Sequence, residues 1–228
     1  LKRHDEYKKI FIKCLDKLYN LKPDVIYIGG DIVHSKTQGI SPEIIENLTW
    51  SFNALSEIAP LHIILGNHDG LILNADRQDA ITPIINAIDN KNIFLYKKSG
   101  VYPTGIEGYS WCVFSCFDQE NWKKVKPSKD NINIACFHGA VTGSKTDIDW
   151  ELEGEVKLGM FDEYDFGLFG DIHKFQYLDK DKRVAYPGSL IQQNYGEDIK
   201  KGFLFFPEEA NLYASFISSN SFLLIHNG

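Results

Sequence analysis

Apolar residues recur at helical spacing over residues 4–20 (Tyr7, Ile10, Phe11, Cys14, Leu15, Leu18, Tyr19), with charged residues between them. That pattern predicts an amphipathic helix. Lys22-Pro23 ends it, because a residue before proline is pushed out of helical geometry. Val-Ile-Tyr-Ile (25–28) then reads as a buried strand closed by two glycines. Ser41-Pro42-Glu43 has the form of an N-cap with proline at the first helical position. The helix it opens is predicted to reach residue 58, with Ile44, Ile45, Leu48, Phe52 and Leu55 inward. Pro60 breaks it, and 61–65 is the next strand. A third helix is predicted near 76–87 and a short strand near 93–96. Beyond residue 110 the pattern changes. Strand-like runs at 111–117, 131–137, 164–170, 184–185, 202–206, 212–217 and 222–225 follow with few helices between them.

Strands alternating with helices predict a parallel or mixed sheet covered by helices, and the strand-rich second half predicts another sheet packed on it. The fold class is therefore α/β: two packed mixed sheets flanked by helices, in one domain spanning 1–228. In such sheets ligands bind beyond the carboxyl ends of the strands.

Composition changes this picture little. A chain of 228 residues with 43% hydrophobic and 24% charged residues is ordinary for a globular domain. No stretch approaches the roughly 20 apolar residues that span a bilayer, so no membrane association is expected. The cysteines at 14, 112, 116 and 136 form no Cys-x-x-Cys pair, which favours reduced core thiols and a cytoplasmic, reducing setting. The net charge of −7 counts against autonomous binding of duplex DNA, although bound divalent cations would offset part of it.

Candidate chemistry sits at four strand ends: Gly-Gly-Asp-Ile-Val-His (29–34), Gly-Asn-His-Asp (66–69), Phe-His-Gly (137–139) and Gly-Asp-Ile-His (170–173). Each places Asp, Asn or His beside glycine after an apolar run. Asp31 at a strand end offers two oxygens that can each take a cation. Asn67 offers a neutral carbonyl oxygen to a hard metal. His68 is left to face a substrate, with Asp69 placed to orient its ring. His138 closes an apolar strand. Asp171 and His173 lie two apart on extended chain and so face one side. His62, inside a strand, is expected to be structural.

The ordered set (Gly-Asp at 30–31, Gly-Asn-His-Asp at 66–69, His138, Gly-Asp-Ile-His at 170–173) resembles the calcineurin-like metallophosphoesterase superfamily, whose domain is a four-layer sandwich. Gly-Asp-Ile-Val-His, the Gly-Asn-His-Asp turn and Tyr-Pro-Gly-Ser-Leu (186–190) resemble its SbcD-type DNA repair nuclease branch, closest to phage and large-virus members. The resemblance implies two divalent metal ions, Mn²⁺ foremost with Mg²⁺ second. It implies that Asp31 bridges them, that Asn67, His138 and residue 171 complete one metal, and that His173 binds the other. His68 would stabilise or protonate the leaving oxygen and His34 would help place the phosphate. The family usually has histidine where this chain has Asp171, a harder, anionic ligand that favours Mn²⁺ or Mg²⁺ over Zn²⁺.

The resemblance further implies a DNA exo- or endonuclease subunit of recombination or repair, an SbcC-type ATPase partner that grips the DNA, and pairing into a homodimer through helices near 41–58 and 76–87. The family's Asp-x-His motif lies on a strand ahead of a helix like 4–20. The expectation is that it precedes Leu1, that the domain is trimmed at its N-terminus, and that C-terminal capping elements are missing. Two other readings stay open: a phosphomonoesterase or small-molecule phosphodiesterase of the same superfamily, and a scaffold that keeps the fold with impaired catalysis.

Overall fold

A computed structural model of the chain describes residues 2–34, 40–74, 76–192, 196–198, 201–206, 212–216 and 223–225; the side chains of 2–4, 216 and 223–225 are outside the description. The helices are α1 (Lys2–Leu21), α2 (Pro42–Ile58) and α3 (Thr82–Ile88). The strands are β1 (Val25–Ile28), β2 (Leu61–Ile64), β3 (Ile93–Tyr96), β4 (Gly100–Pro103), β5 (Tyr109–Phe114), β6 (Ile132–His138), β7 (Phe166–Gly170), β8 (Gln176–Tyr177), β9 (Val184–Tyr186), β10 (Gly202–Phe206), β11 (Tyr213–Phe216) and β12 (Leu223–Ile225).

They form two six-stranded mixed sheets, ordered β11-β10-β12-β1-β2-β3 and β4-β5-β6-β7-β9-β8. At the centre of each, strands run parallel: β1 beside β2, and β6 between β5 and β7. The four ligand-bearing segments therefore leave the same ends of adjacent strands, and His138 lies in register with Gly170.

Period-two alternation sorts the layers. In β2, Leu61 and Ile63 point to the helices, where they pack with Leu18, Phe52 and Leu55. Ile64, with Tyr27 of β1, instead joins Trp111, Ile134, Cys136, Leu168 and Leu204 between the two sheets. The outer face of the second sheet (Phe114, Phe137, Phe169) is covered by Trp122, Phe161 and Tyr164 from 3₁₀ turns at Gln119–Lys124 and Leu158–Phe161 and the loops beside them. Both faces of the central strands are thus buried, which is why their sequences are continuous apolar runs.

The α/β architecture of two mixed sheets flanked by helices is the predicted one. Two details differ. The third helix starts at Thr82 rather than near 76, because the Asp79 carboxylate accepts the amides of Ile81 and Thr82 and Pro83 fixes the first turn. Strands β4 and β8 are not in the predicted set. β4 is a half-exposed sheet edge carrying glycine and proline, and β8 has only two residues. Residues 217 and 222, the far ends of two predicted strands, lie outside the described residues. All four cysteines are buried and free. Among the described residues, no helix is long and apolar enough to cross a membrane.

A candidate metal centre where the two sheets meet

The first sheet delivers Asp31 and Asn67 and the second delivers His138 and Asp171. Asp31, His138 and Asp171 form a group whose ligand atoms lie within 4.8 Å of one another. His138 is its hub. Its ring is buried, and Nδ1 donates to the Gly29 carbonyl at 2.6 Å. Its Nε2 faces three oxygens: Asn67 Oδ1 at 3.0 Å, Asp31 Oδ1 at 3.2 Å and Asp171 Oδ1 at 3.8 Å.

This donor set fits a cation. A carbonyl can only accept, so the Gly29 contact uses the Nδ1 proton and leaves Nε2 as the lone-pair nitrogen of the neutral ring. Lone pairs from one imidazole, one amide and two carboxylates then converge. Donors bound at right angles at about 2.1 Å sit roughly 3 Å apart, close to the Asn67 and Asp31 separations from Nε2. Without a cation the same contacts call for a proton instead. Burial works to lower the His138 pKa, but hydrogen bonding and charge from Asp31, the Gly29 carbonyl and the Asp171 charge carry it above its ordinary value. Burial likewise opposes ionisation of Asp31, yet His138 and the His68 amide hold that carboxyl below its usual range. Asp171 goes the other way, raised by burial and by the Asp31 charge despite the nearby histidines.

The backbone is bent to make this convergence. Asp31 and Asp171 both adopt left-handed conformations, with φ of 53° and 95°. Non-glycine residues there carry strain that tends to persist at functional sites. Gly66 is required by close approach: a Cβ would lie 2.2 Å from Asp31 Oδ1 and 2.6 Å from the His138 ring.

His68 is exposed. Its amide donates to Asp31 Oδ1 at 3.0 Å, and its Nδ1 is hydrogen-bonded to the His34 carbonyl. The rings of His34 and His68 stack at 5.7 Å. Asp69 does something other than orient His68, and this corrects the sequence reading. Wholly buried, it accepts the amides of Ile32, Val33 and Gly66 and so ties the β1 loop to the β2 loop. Burial pushes its carboxyl up to about 6 against the Gly66 and Val33 amides. A single sequence shows an acid after His68 but not which way it turns.

His173 is not in the Asp31 group. It belongs to a second cluster with Asp147 and Glu197, residues that sequence reasoning missed because both lie in polar stretches resembling ordinary loops. His62 is the structural histidine expected: buried, bonded to the Tyr96 hydroxyl at 2.8 Å, with burial lowering its pKa to about 4.

A two-sheet α/β sandwich with Asp, Asn and His side chains gathered at the strand ends defines a class built to hold cations near a substrate. The chain belongs to the calcineurin-like phosphoesterase family, whose model matches residues 3–175. Its relatives include viral proteins. It is 40% identical to the uncharacterized protein R555 of Acanthamoeba polyphaga mimivirus, over 87% of this chain and 16% of that protein. It is 26% identical to a candidate phosphoesterase, 244L, of Invertebrate iridescent virus 6, over 84% of this chain and 66% of that protein. The chain thus spans about a sixth of the first relative and just under two thirds of the second. The family is, by its description, one of phosphoesterases.

Proposed function

We propose that this chain is the hydrolytic domain of a metal-dependent phosphodiesterase that cuts DNA, of the SbcD nuclease type. The observation that carries the metal dependence is the convergence of Asp31, Asn67 and Asp171 oxygens on His138 Nε2. These four side chains would hold one divalent ion. Asp31, with an oxygen to spare, and His173 would serve a second. Manganese or magnesium suits a set in which oxygen donors outnumber nitrogen. A cation bound there supplies Lewis acidity and lowers the pKa of coordinated water.

The protein's own groups do the rest. His68 has its Nδ1 committed to donating to the His34 carbonyl, so its Nε2 is the atom left for the substrate, and as the imidazolium it would hand the Nε2 proton to the departing oxygen and keep the Nδ1 proton. His34, stacked against it, would help to hold a phosphate oxygen. Gly-Asp-Ile-Val-His (30–34) and Tyr-Pro-Gly-Ser-Leu (186–190) support the nuclease choice within the family. With a net charge of −7, the chain calls for a DNA-gripping partner, and an ATPase subunit of the SbcC type fits that need.

The deciding experiment is cleavage of linear DNA by the full chain with Mn²⁺, alone and with such a partner. The expected result is metal-dependent loss of DNA ends that His68→Ala abolishes. Turnover of small phosphate esters alone would leave a small-molecule esterase. Metal binding without turnover of either substrate would leave a scaffold.

A further inference from the structure

The Tyr-Pro-Gly-Ser turn (186–189), Glu197 and Lys201 border His173. The His173 carbonyl accepts from the Ser189 amide at 3.3 Å and from Lys201 Nζ at 2.8 Å. Gly188 has φ of 85°, and a Cβ there would stand 2.7 Å from that same carbonyl oxygen. The turn can close on His173 only with glycine at 188.

The ring is held as well. Glu197, 6% exposed, places Oε1 3.1 Å from His173 Nδ1. Its Oε2 is 3.0 Å from Lys201 Nζ, and Lys201 is 2% exposed. One buried ion pair thus grips both the backbone and the side chain of a single histidine. Buried pairs of this kind often add little net stability, so a function in orientation accounts better for its presence. A carboxylate oxygen can only accept from the ring, so Nδ1 must carry the proton and Nε2 keeps the lone pair. The Gly29 carbonyl imposes the same polarity on His138.

We propose that the Glu197–Lys201 pair, together with the 186–189 turn, is a positioning device for His173 that fixes its ring with Nδ1 protonated and Nε2 free to coordinate. The use of that nitrogen rests on the reading of His173 as a metal ligand. The hold on the ring does not.

The test uses the full metal-free chain with ¹⁵N-labelled histidine, reading the His173 tautomer by long-range proton–nitrogen NMR. The wild type should carry its proton on Nδ1. Because Glu197→Ala alone would strand a buried ammonium, the main variant is the double substitution Glu197→Leu/Lys201→Met, which removes both charges at similar volume. In it the proton should move to Nε2, and Mn²⁺ affinity measured by calorimetry should fall about 10- to 100-fold, as for lost partners of metal-bound histidines. An unchanged tautomer in the double variant overturns the proposal. So does an equal loss of affinity in Asp147→Asn, which would make the Asp147–His173–Glu197 cluster itself the cation site. If the tautomer switches but neither this variant nor His173→Ala weakens Mn²⁺ binding, the hold on the ring stands and the ligand reading of His173 falls.

Discussion

Gly66→Ala is the smallest change that addresses the fold and the site together. The added methyl would meet Asp31 Oδ1 at 2.2 Å, the Asp31 amide nitrogen at 2.3 Å and His138 Cε1 at 2.6 Å. The Asp31 amide is backbone, so movement of the carboxylate alone cannot clear the methyl. Gly66 is not in the left-handed region, so the conflict is one of space alone. Overpacking of this kind costs about 1–3 kcal/mol. For a chain of 228 residues that corresponds to a fall in Tm of roughly 2–12 °C. The carboxylate must retreat from His138 Nε2, now 3.2 Å away, so cation binding should weaken as well. Calorimetric melting and Mn²⁺ titration would measure the two effects. Gly196→Ala is the control, since a methyl added there would meet nothing within 4 Å among the described residues. A Gly66→Ala protein with the melting point and Mn²⁺ affinity of the wild type would refute the close approach of the two loops and the placement of Asp31.

Saturating Mn²⁺, at about 100 times its Kd, should stabilise the protein by about 2.7 kcal/mol, seen as a rise in Tm of roughly 5–11 °C; His138→Ala should abolish that rise in thermal-shift measurements. Asp171→His should shift preference from Mn²⁺ toward Zn²⁺, read by competition calorimetry. Asp79 gives an acid limb from a carboxylate outside the candidate ligand set. Burial opposes its ionisation, but the Lys97 ammonium at 2.7 Å and the Thr82 hydroxyl and amide hold its carboxyl below the ordinary value of 3.8. A depressed pKa contributes stability that is full above the unfolded value and is lost as pH falls through the folded one. Below about pH 4 the wild-type Tm should therefore fall more steeply than that of Asp79→Asn, as followed by circular dichroism.

The layers were legible because both kinds of periodicity are strong here. α1 and α2 carry clean helical stripes, and the central strands are apolar runs closed by glycine. The edge strands were not legible, since β4 alternates weakly and contains proline. At the site, the glycine-bordered segments marked Asp31, Asn67, His138 and Asp171, which the fold does gather. The tie from Asp69 to the β1 loop and the grip of Glu197 on His173 were hidden, because each joins residues 24 or more apart. Glu197 and Lys201, four apart, left a faint trace as an ion-pair spacing.

Asp31 and Asn67 hang from one sheet, His138 and Asp171 from the other, and the layer beneath them is Tyr27, Trp111, Cys136 and their neighbours. The thickness of that layer sets the span across which the donors must meet. A substitution there that merely swells or thins the filling, leaving the chain folded and every ligand intact, would open or close the gap between donors like the jaws of a caliper. Variation in this inner layer is therefore constrained by chemistry at the rim, and the most conservative-looking core changes are the ones to watch for loss of function without loss of fold.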